Sequence, residues 1–402
     1  MKILMVNKFL YSRGGCENYM LYLAEHLKNM GHEVEFFGMY DEKNTVGNSA
    51  NLYTANMDFH TKGLKRFLYP FKIIYSFEAK RKIMKVIDCF KPDIVHMNNI
   101  NFQLTPSIIY GIKKKGVPVV QTVHDYQMIC PNHLLYNFDE NKICEKCLKG
   151  SYGACIKNRC IHNSRIKSII GAIEARLYSV LKTYEKVDLY ISPSYFLEKK
   201  LLSAKALYKG KTKTIHNFID KQKFTCENSS SGEYIAFAGR LSKEKGVELL
   251  AQTAKLLPQY KFMIAGDGPE KSLLEGIENV ELVGFLGGKE LIDFISNAKL
   301  LVVPSIWYEN CPLSILEAQC MGVPVVTMNN GGMAELIKDG VTGVLVDEVS
   351  SDAMAQSLKR ALESEGYCDM LKSNCKNEKE NILSVDTYCD ILIKEYEKLL
   401  AR

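Results

Sequence analysis

The sequence predicts an α/β protein with two domains, each built on a doubly wound parallel sheet. Three observations support this fold class. The chain has 402 residues, which is long for a single hydrophobic core. Short apolar runs alternate with stretches of helical periodicity, the pattern of parallel strands joined by helices. Glycine-bearing turns follow several of the apolar runs, as at Gly14 and Gly15.

Composition indicates an ordinary globular protein. Hydrophobic residues make up 47% of the chain and charged residues 24%. No apolar run reaches the roughly 18 residues that a membrane span needs, and residues 1–6 are too short an apolar segment for a signal peptide. We therefore expect a cytoplasmic protein with reduced thiols.

The charge is unevenly distributed. Residues 1–200 hold 29 lysines and arginines against 18 acidic residues, and the rest of the chain holds 23 against 28. A basic half suits a nucleic acid, a membrane surface or an anionic acceptor equally well. Because no helix-turn-helix or RNA-reading motif is present, nucleic acid is not expected as a partner.

The first predicted unit is a strand at residues 2–6, a turn at Gly14 and Gly15, and a helix over residues 17–30. Glycines at such a turn let a ligand approach backbone N–H groups, although a pair of glycines is also common in tight turns. A second strand is expected over residues 32–37.

Residues 61–92 interleave lysines and arginines with aromatic residues. A pair of surface helices with solvated lysines explains this pattern. A basic, aromatic face that contacts anionic lipid explains it equally well, and would suit an enzyme with a lipid-linked acceptor. Both interpretations stay open.

Two further predicted strands end in polar residues. His96, Asn98 and Asn99 stand at the end of one, and His124 directly follows the other. Open α/β sheets bind ligands beyond the carboxyl ends of their strands. We therefore expect a functional role for His124 and an acceptor-side role for His96, Asn98 and Asn99.

Five cysteines fall close together, at positions 130, 144, 147, 155 and 160. The Cys-x-x-Cys pair has the spacing of zinc ligands. A structural zinc would stabilise a segment with little periodicity, and its expected ligands are Cys130, Cys144, Cys147 and Cys160. Free thiols are the alternative. A catalytic metal is not expected, because no set of His, Asp or Glu accompanies the cysteines.

In the second half, a strand at residues 234–238 leads into a turn that carries Arg240 and Lys245. Two cations beside a helix start suit a diphosphate, since they neutralise charge that grows as a sugar–phosphate bond breaks. The alternative is that Arg240 and Lys245 are solvated surface residues, as most lysines and arginines are.

The most informative stretch follows a buried strand predicted at residues 300–303. A helix is expected from Pro312, because proline suits the first helical position. Glu309 precedes this helix, Glu317 lies inside it, and the first N–H groups of the helix form an anion site. Two carboxylates around a phosphate site fit a nucleotide-sugar, which has hydroxyls at both ends and phosphates in the middle.

The seven-residue spacing between Glu309 and Glu317 resembles the signature of the retaining GT-B glycosyltransferases, specifically the family-four group. Arg240 and Lys245 match the phosphate pair of that family, and His124 matches a histidine of its first domain. The resemblance implies two Rossmann-like domains that face each other across a cleft, with a C-terminal helix that crosses back to the first domain.

The resemblance also implies domain bounds and roles. Residues 1–208, with 386–402 packed back on them, are expected to form the acceptor-side domain, and residues 209–385 the sugar-nucleotide domain. The implied catalytic residues are His124, Arg240, Lys245 and Glu309. The residues implied to bind the donor are Gly14, Gly15, Arg240, Lys245, Gly284, Glu309, Asn310, Cys311, Pro312, Leu313, Ser314 and Glu317. No cofactor is expected for catalysis.

The implied function is retaining transfer of a sugar from a nucleoside-diphosphate sugar to a glycan or lipid-linked glycan, in surface polysaccharide synthesis at the inner face of the membrane. Two alternatives stay open. One is a GT-B epimerase or hydrolase that consumes the same donor without an acceptor. The other is a non-catalytic binding subunit of a membrane complex.

Overall fold

The computed structural model describes residues 1–56, 69–204, 210–224 and 232–401. The chain divides into two compact units. The first contains Met1–Leu135, Cys144–His216 and Val385–Arg402, and the second contains Tyr136–Ile143 and Asn217–Ser384. The boundary expected near residue 208 lies outside the described residues.

The strands, in chain order, are β1 (Lys2–Val6), β2 (Glu33–Phe37), β3 (Ile94–Met97), β4 (Val119–Thr122), β5 (Tyr136–Asn137), β6 (Lys142–Ile143), β7 (Leu189–Ser192), β8 (Thr212–Thr214), β9 (Tyr234–Ala238), β10 (Lys261–Ala265), β11 (Val280–Gly284), β12 (Leu300–Val303), β13 (Val325–Met328) and β14 (Gly343–Val346).

The α-helices are α1 (Gly15–Asn29), α2 (Tyr69–Ile74), α3 (Phe77–Phe90), α4 (Ser107–Lys114), α5 (Gly153–Lys157), α6 (Arg165–Val180), α7 (Tyr195–Ala204), α8 (Val247–Leu256), α9 (Gly288–Ser296), α10 (Leu313–Cys320), α11 (Ser351–Glu363), α12 (Tyr367–Glu378) and α13 (Val385–Leu400). Within the described ranges, no helix is both long and apolar enough to cross a bilayer.

The first unit is built on a six-stranded parallel sheet with the order β2-β1-β3-β4-β7-β8. Every residue of β3, β4 and β7 is buried, as expected for strands with helices on both faces. The strand order changes direction between β1 and β3. In an open α/β sheet, ligands bind beyond the carboxyl ends of the strands at such a point.

The second unit contains another six-stranded parallel sheet, with the order β11-β10-β9-β12-β13-β14. This is the order of the dinucleotide-binding doubly wound fold, in which the first and fourth strands are neighbours. The direction changes between β9 and β12. Arg240 follows β9 and Glu309 follows β12, so the chain topology brings both residues to one edge of the sheet. The predicted pair of parallel-sheet domains is confirmed.

The C-terminal helix α13 packs against α1 and belongs to the first unit. The hydroxyl of Tyr388 lies 2.5 Å from that of Tyr19. The hydroxyl oxygen of Tyr396 lies 2.5 Å from Nδ1 of His96, and Thr122 Oγ1 lies 2.7 Å from the other ring nitrogen, Nε2. These hydrogen bonds are fully buried and tie the end of the chain to the first sheet.

The basic, aromatic stretch at residues 61–92 is described only in part, because residues 61–68 lie outside the described ranges. The remainder forms α2 and α3. The side chain of Phe71 is 72% exposed and that of Phe77 is 77% exposed.

The first helix begins at Gly15 rather than at residue 17. A short antiparallel hairpin, β5–β6, is grouped with the second unit.

We predict that Tyr396→Phe destabilises the protein. The substitution leaves Nδ1 of the buried His96 without a partner, which costs about 1–3 kcal/mol. The measurement is the free energy of unfolding from urea denaturation. The control is Tyr40→Phe, at a side chain that is 56% exposed. Equal stability of the two variants would contradict the anchoring role of the Tyr396 hydroxyl.

Candidate active site

Glu309 is a buried carboxylate on the loop between β12 and α10. Its Oε1 accepts three hydrogen bonds, from Lys245 Nζ at 2.5 Å, Ser305 Oγ at 2.9 Å and Trp307 Nε1 at 2.9 Å. Burial alone raises the pKa of Glu309, but the charge of Lys245 and these hydrogen bonds outweigh burial and leave the pKa below its ordinary value. Glu309 is therefore an anion at neutral pH.

Lys245 reaches Glu309 because two loops are packed tightly together. Lys245 ends a single 3₁₀ turn after β9, and Gly246 follows it with φ 73°. A Cβ at Gly246 would lie 2.0 Å from the carbonyl oxygen of Pro304, so only glycine fits there. Ile306 N also donates to Glu244 O at 3.0 Å. The Lys245 ammonium lies 5.6 Å from the centre of the Trp307 ring.

A third loop, after β13, supports Glu309 from its backbone side. Gly332 N donates to Glu309 O at 2.7 Å. Gly331 has φ 59°, and a Cβ there would lie 2.6 Å from the same oxygen. Loops from β9, β12 and β13 therefore meet at Glu309, the first through its carboxylate and the last through its backbone.

Helix α10 begins one residue later than expected. Pro312 is its N-cap, with ψ 124°, and Leu313 is its first helical residue. The extended ψ explains this difference, because a residue with that backbone angle lies outside the helix. The N–H groups of Leu313 and Ser314, at the start of the helix, have no intrahelical acceptors. They retain the character of an anion site.

Glu317 lies four residues after Leu313 and so on the same side of α10. Burial raises its pKa to about 7.

Cys311 is buried in an apolar cluster with Ile219, Leu316 and Cys320. Burial raises the pKa of the Cys311 thiol to about 12, and its carbonyl oxygen accepts from Asn217 Nδ2 at 2.9 Å. Its thiol is therefore a packing group. Asn310, between Glu309 and Cys311, is half-buried.

Arg240 is exposed at the carboxyl end of β9. In the described part of the chain it makes no ion pair, so its charge is open to a ligand. The loop after β10 packs against this segment through Gly266, where a Cβ would lie 1.9 Å from Gly239 O. Gly266 N donates at 2.7 Å to the carbonyl oxygen of Gly284, which has φ 80°.

In the first unit, His124 follows β4, and its Nε2 lies 2.9 Å from Asn98 Oδ1. Because an amide oxygen only accepts, the proton is on Nε2. Burial lowers the pKa of His124 to about 4, so its ring is neutral. Tyr19 contacts the ring edge-on, with 5.0 Å between centroids.

The acceptor-side prediction for His96 does not agree with its position. His96 is fully buried, and both ring nitrogens are bonded, to Tyr396 and Thr122. Burial, with a smaller effect of His124, lowers its pKa to about 3. His96 thus anchors α13. Asn98 contacts His124 through its side-chain oxygen. The half-buried Asn99 donates its backbone N–H to Asn7 Oδ1 at 2.9 Å.

Gly14 is the N-cap of α1 and Gly15 is its first residue. The φ of Gly14 is −170°, an extended conformation that any residue adopts. A Cβ at Gly14 would make an ordinary contact with Glu17, at 3.5 Å. The glycine is therefore not required by a left-handed turn.

The structure does not support the predicted zinc ligands. In the described ranges, no three His, Cys, Asp or Glu side chains are placed to hold a metal ion. Cys147 and Cys155 lie in an apolar cluster, with Cys160 packed against it. Burial raises the pKa of Cys130 to about 12 and that of Cys147 to about 11. Cys144 is half-buried.

Two sequence-family models match the chain. The model described as Glycosyltransferase Family 4 covers residues 13–223, and the model described as glycosyl transferases group 1 covers residues 218–378. The chain belongs to glycosyltransferase family 4. The resemblance found from Glu309 and Glu317 is thereby confirmed.

This family 4 chain is similar to an uncharacterized 42.6 kDa protein in the cps region of Klebsiella pneumoniae, with 27% identity over 84% of this chain and 87% of the relative. Two solved structures share its GT-B architecture at 17% identity. They are sucrose-phosphate synthase from Thermosynechococcus elongatus, with TM-score 0.74 and coverage of 100% and 99%, and Anabaena HepE in complex with UDP-glucose, with TM-score 0.70 and coverage of 99% and 100%.

Sequence reasoning missed Ser305, Trp307 and Gly331 as parts of the Glu309 site. One signal was available: Trp307 is the only tryptophan of the chain and stands two residues before the signature glutamate. In this family 4 chain, Ser305 and Trp307 are close to Glu309 in the sequence. Gly331 is distant in the sequence and approaches Glu309 from another loop.

We predict that Lys245→Met destabilises the fold by about 3–5 kcal/mol, because it leaves a buried carboxylate without its counter-charge. The double variant Lys245→Met/Glu309→Gln should recover most of this loss. The measurement is urea denaturation at neutral and acidic pH.

The folded-state pKa of Glu309 lies below its ordinary 4.5, so the pair stabilises the protein above that pH and loses its effect as pH falls below it. The control is Lys289→Met, which breaks the exposed Lys289–Asp293 pair. A loss no larger than that of the control would refute the buried-pair interpretation.

Proposed function

We propose that this glycosyltransferase is a retaining hexosyltransferase, which moves a sugar from a nucleoside-diphosphate sugar to a glycan or lipid-linked glycan in surface polysaccharide synthesis. The observation that carries the proposal is the Lys245–Glu309 pair at the switch point of the second sheet, with Arg240, which makes no ion pair with any described residue, on the neighbouring strand end. The relative in a cps region supports the polysaccharide context, and the neighbour that holds UDP-glucose supports a nucleotide-sugar donor.

The donor is proposed to bind along the carboxyl edge of the second sheet. Arg240, Lys245 and the first N–H groups of α10 contact its diphosphate. Glu317 accepts hydrogen bonds from the ribose hydroxyls, and the loop at Gly284 lies against the base. Asn310, Cys311 and Pro312 contribute backbone to the same site.

Glu309 is proposed to bind the transferred sugar through Oε2. All three of its described donors are on Oε1, and no described residue donates to Oε2. A sugar hydroxyl that donates to Oε2 would complete the hydrogen bonding of the carboxylate. Trp307 and Ser305 act as positioning residues, since they hold the carboxylate in one orientation.

As the sugar–phosphate bond lengthens, negative charge grows on the leaving diphosphate. Arg240 and Lys245 stabilise this charge, so their contribution is larger in the transition state than in the bound ground state. The acceptor hydroxyl attacks from the face that the diphosphate leaves, and the diphosphate takes the acceptor proton. This front-face route retains the anomeric configuration.

A double displacement would need a free carboxylate as nucleophile. Asp125, next to His124, already accepts at both oxygens, from Gln127 N at 2.9 Å and from Asn101 Nδ2 at 2.8 Å. The front-face route needs no such nucleophile. The neutral His124 is proposed to hydrogen-bond a sugar hydroxyl, with Asn98 holding its ring. Gly14, Gly15 and Asn99 remain candidates for ligand contacts at the edge of the first sheet.

The donor half of the proposal is tested by a thermal-shift panel with UDP, GDP, ADP, CMP and dTDP. We expect one of them to raise the melting temperature by mass action, and Glu317→Ala to weaken that shift. Glu275→Ala, at an exposed glutamate of the same unit, serves as control. If none of the nucleotides stabilises the folded protein, the non-catalytic binding subunit becomes the better explanation.

The transfer step is tested with Arg240→Ala and Lys245→Ala, using the donor that the panel identifies and following release of the nucleoside diphosphate. Each substitution should lower kcat by roughly 100-fold and change the donor KM much less, because the partner charge develops in the transition state. Lys243→Ala, an exposed cation of the same turn, is the matched control.

Unchanged turnover in both variants would remove Arg240 and Lys245 from the mechanism. Release of nucleoside diphosphate at full rate without an acceptor would instead favour a hydrolase.

A further inference from the structure

Helix α6 directs four of its six large aliphatic side chains to solvent, while Ile170 and Leu177 are half-buried. Ile166 is 72% exposed, Ile173 is 50% exposed and Val180 is 62% exposed, and Ile169 is exposed as well. The side chains that α6 buries are small or polar, with one tyrosine: Ser168, Gly171, Ala172, Glu174 and Tyr178. A surface helix of a globular protein normally has the opposite arrangement. The exposed side of α6 therefore has a role other than core packing.

These aliphatic residues form one stripe, since they are three, four and seven residues apart along the helix. Arg165 and Arg176 are exposed and border the same stripe at helical spacing. We call this surface the outer face of α6. It consists of Ile166, Ile169, Ile173, Val180, Arg165 and Arg176.

The charge on the outer face is of one sign. Within the described ranges, neither Arg165 nor Arg176 is in an ion pair. Between Ser164 and Lys182 the only acidic residue is Glu174, which is buried on the opposite side of the helix, and burial raises its pKa to about 8. The surface thus offers aliphatic groups and cations and no exposed anion.

The apolar surface continues beyond the helix. Ile173 and Arg176 line a groove of about 670 Å³ together with Tyr152, Ile156 and Leu177. On another side, α2 packs beside α6, and Tyr178 donates its hydroxyl hydrogen to Ile74 O at 2.7 Å. Phe71 of α2 is also largely exposed.

We propose that the outer face of α6 is a membrane-contact surface, which lies flat on a bilayer that contains anionic lipid. The isoleucines enter the boundary between head groups and acyl chains, and the two arginines bind lipid phosphates. Charge complementarity favours this occupant, because an apolar stripe edged only by cations matches an anionic interface. The inference goes beyond sugar transfer, since it uses none of the residues assigned to the donor.

The test is flotation of the purified full chain with two kinds of vesicle, one of phosphatidylcholine alone and one of phosphatidylcholine with phosphatidylglycerol. Binding is expected only to the second kind, and it should weaken as salt is added. Ile166→Ser/Ile173→Ser should reduce the affinity at least about tenfold, because two exposed aliphatic side chains no longer become buried.

Arg165→Gln/Arg176→Gln should reduce the affinity about 25-fold, at about fivefold for each cation near the lipid surface, and should flatten the salt dependence. The matched control is Leu256→Ser/Val349→Ser, which removes two exposed aliphatic residues of the second unit and should leave binding unchanged. A cooperative melting transition of each variant shows that it is folded, and its nucleotide thermal shifts are measured in the same experiment. They also separate failure of this proposal from failure of the donor proposal.

Three results would overturn the inference. They are binding of the folded chain to neither vesicle, equal binding to both vesicles, and binding of the helix variants that is as tight as that of the parent chain. Sedimentation velocity supplies a further check: self-association that Ile166→Ser/Ile173→Ser abolishes would reassign the outer face to contact between two copies of this chain.

Discussion

The ion pair between Lys245 and Glu309 is the interaction on which the candidate active site depends. A carboxylate buried in a protein is costly unless it is paired and hydrogen-bonded. Glu309 meets this requirement with one ammonium group and two neutral donors on the same oxygen. The energy of the pair therefore depends on holding three loops in close contact, and a ligand meets an arrangement that exists before it binds.

Backbone packing makes that contact possible. Gly246 and Gly331 have positive φ angles, and at each position a side chain would collide with a neighbouring carbonyl group, that of Pro304 or that of Glu309. The glycines and the ion pair support each other. The close approach of the loops brings the charges together, and the attraction between the charges favours the close approach.

The two histidines of the first unit show how tertiary contacts divide similar residues into different roles. His96 and His124 both stand at the carboxyl ends of neighbouring strands. His96 is covered by α13, whose Tyr396 is 300 residues away in sequence and occupies one ring nitrogen. The Nε2 of His124 lies 2.9 Å from Asn98 Oδ1. The helix that arrives last along the chain thus distinguishes a structural histidine from a candidate functional one.

The sequence by itself determined the fold class, the family and the positions of Arg240, Lys245, Glu309 and Glu317 at strand ends and a helix start. These features follow from local signals: the period of apolar residues, the turn glycines, and a fixed spacing between two carboxylates. Only the tertiary structure decided that Trp307 and Ser305 share an oxygen of Glu309, that the cysteines 147 and 155 pack in an apolar cluster, and that α6 has aliphatic residues on its outer face. Contacts between distant segments settle such questions, because the direction in which a side chain points depends on what packs against its element and not on the period of its own sequence.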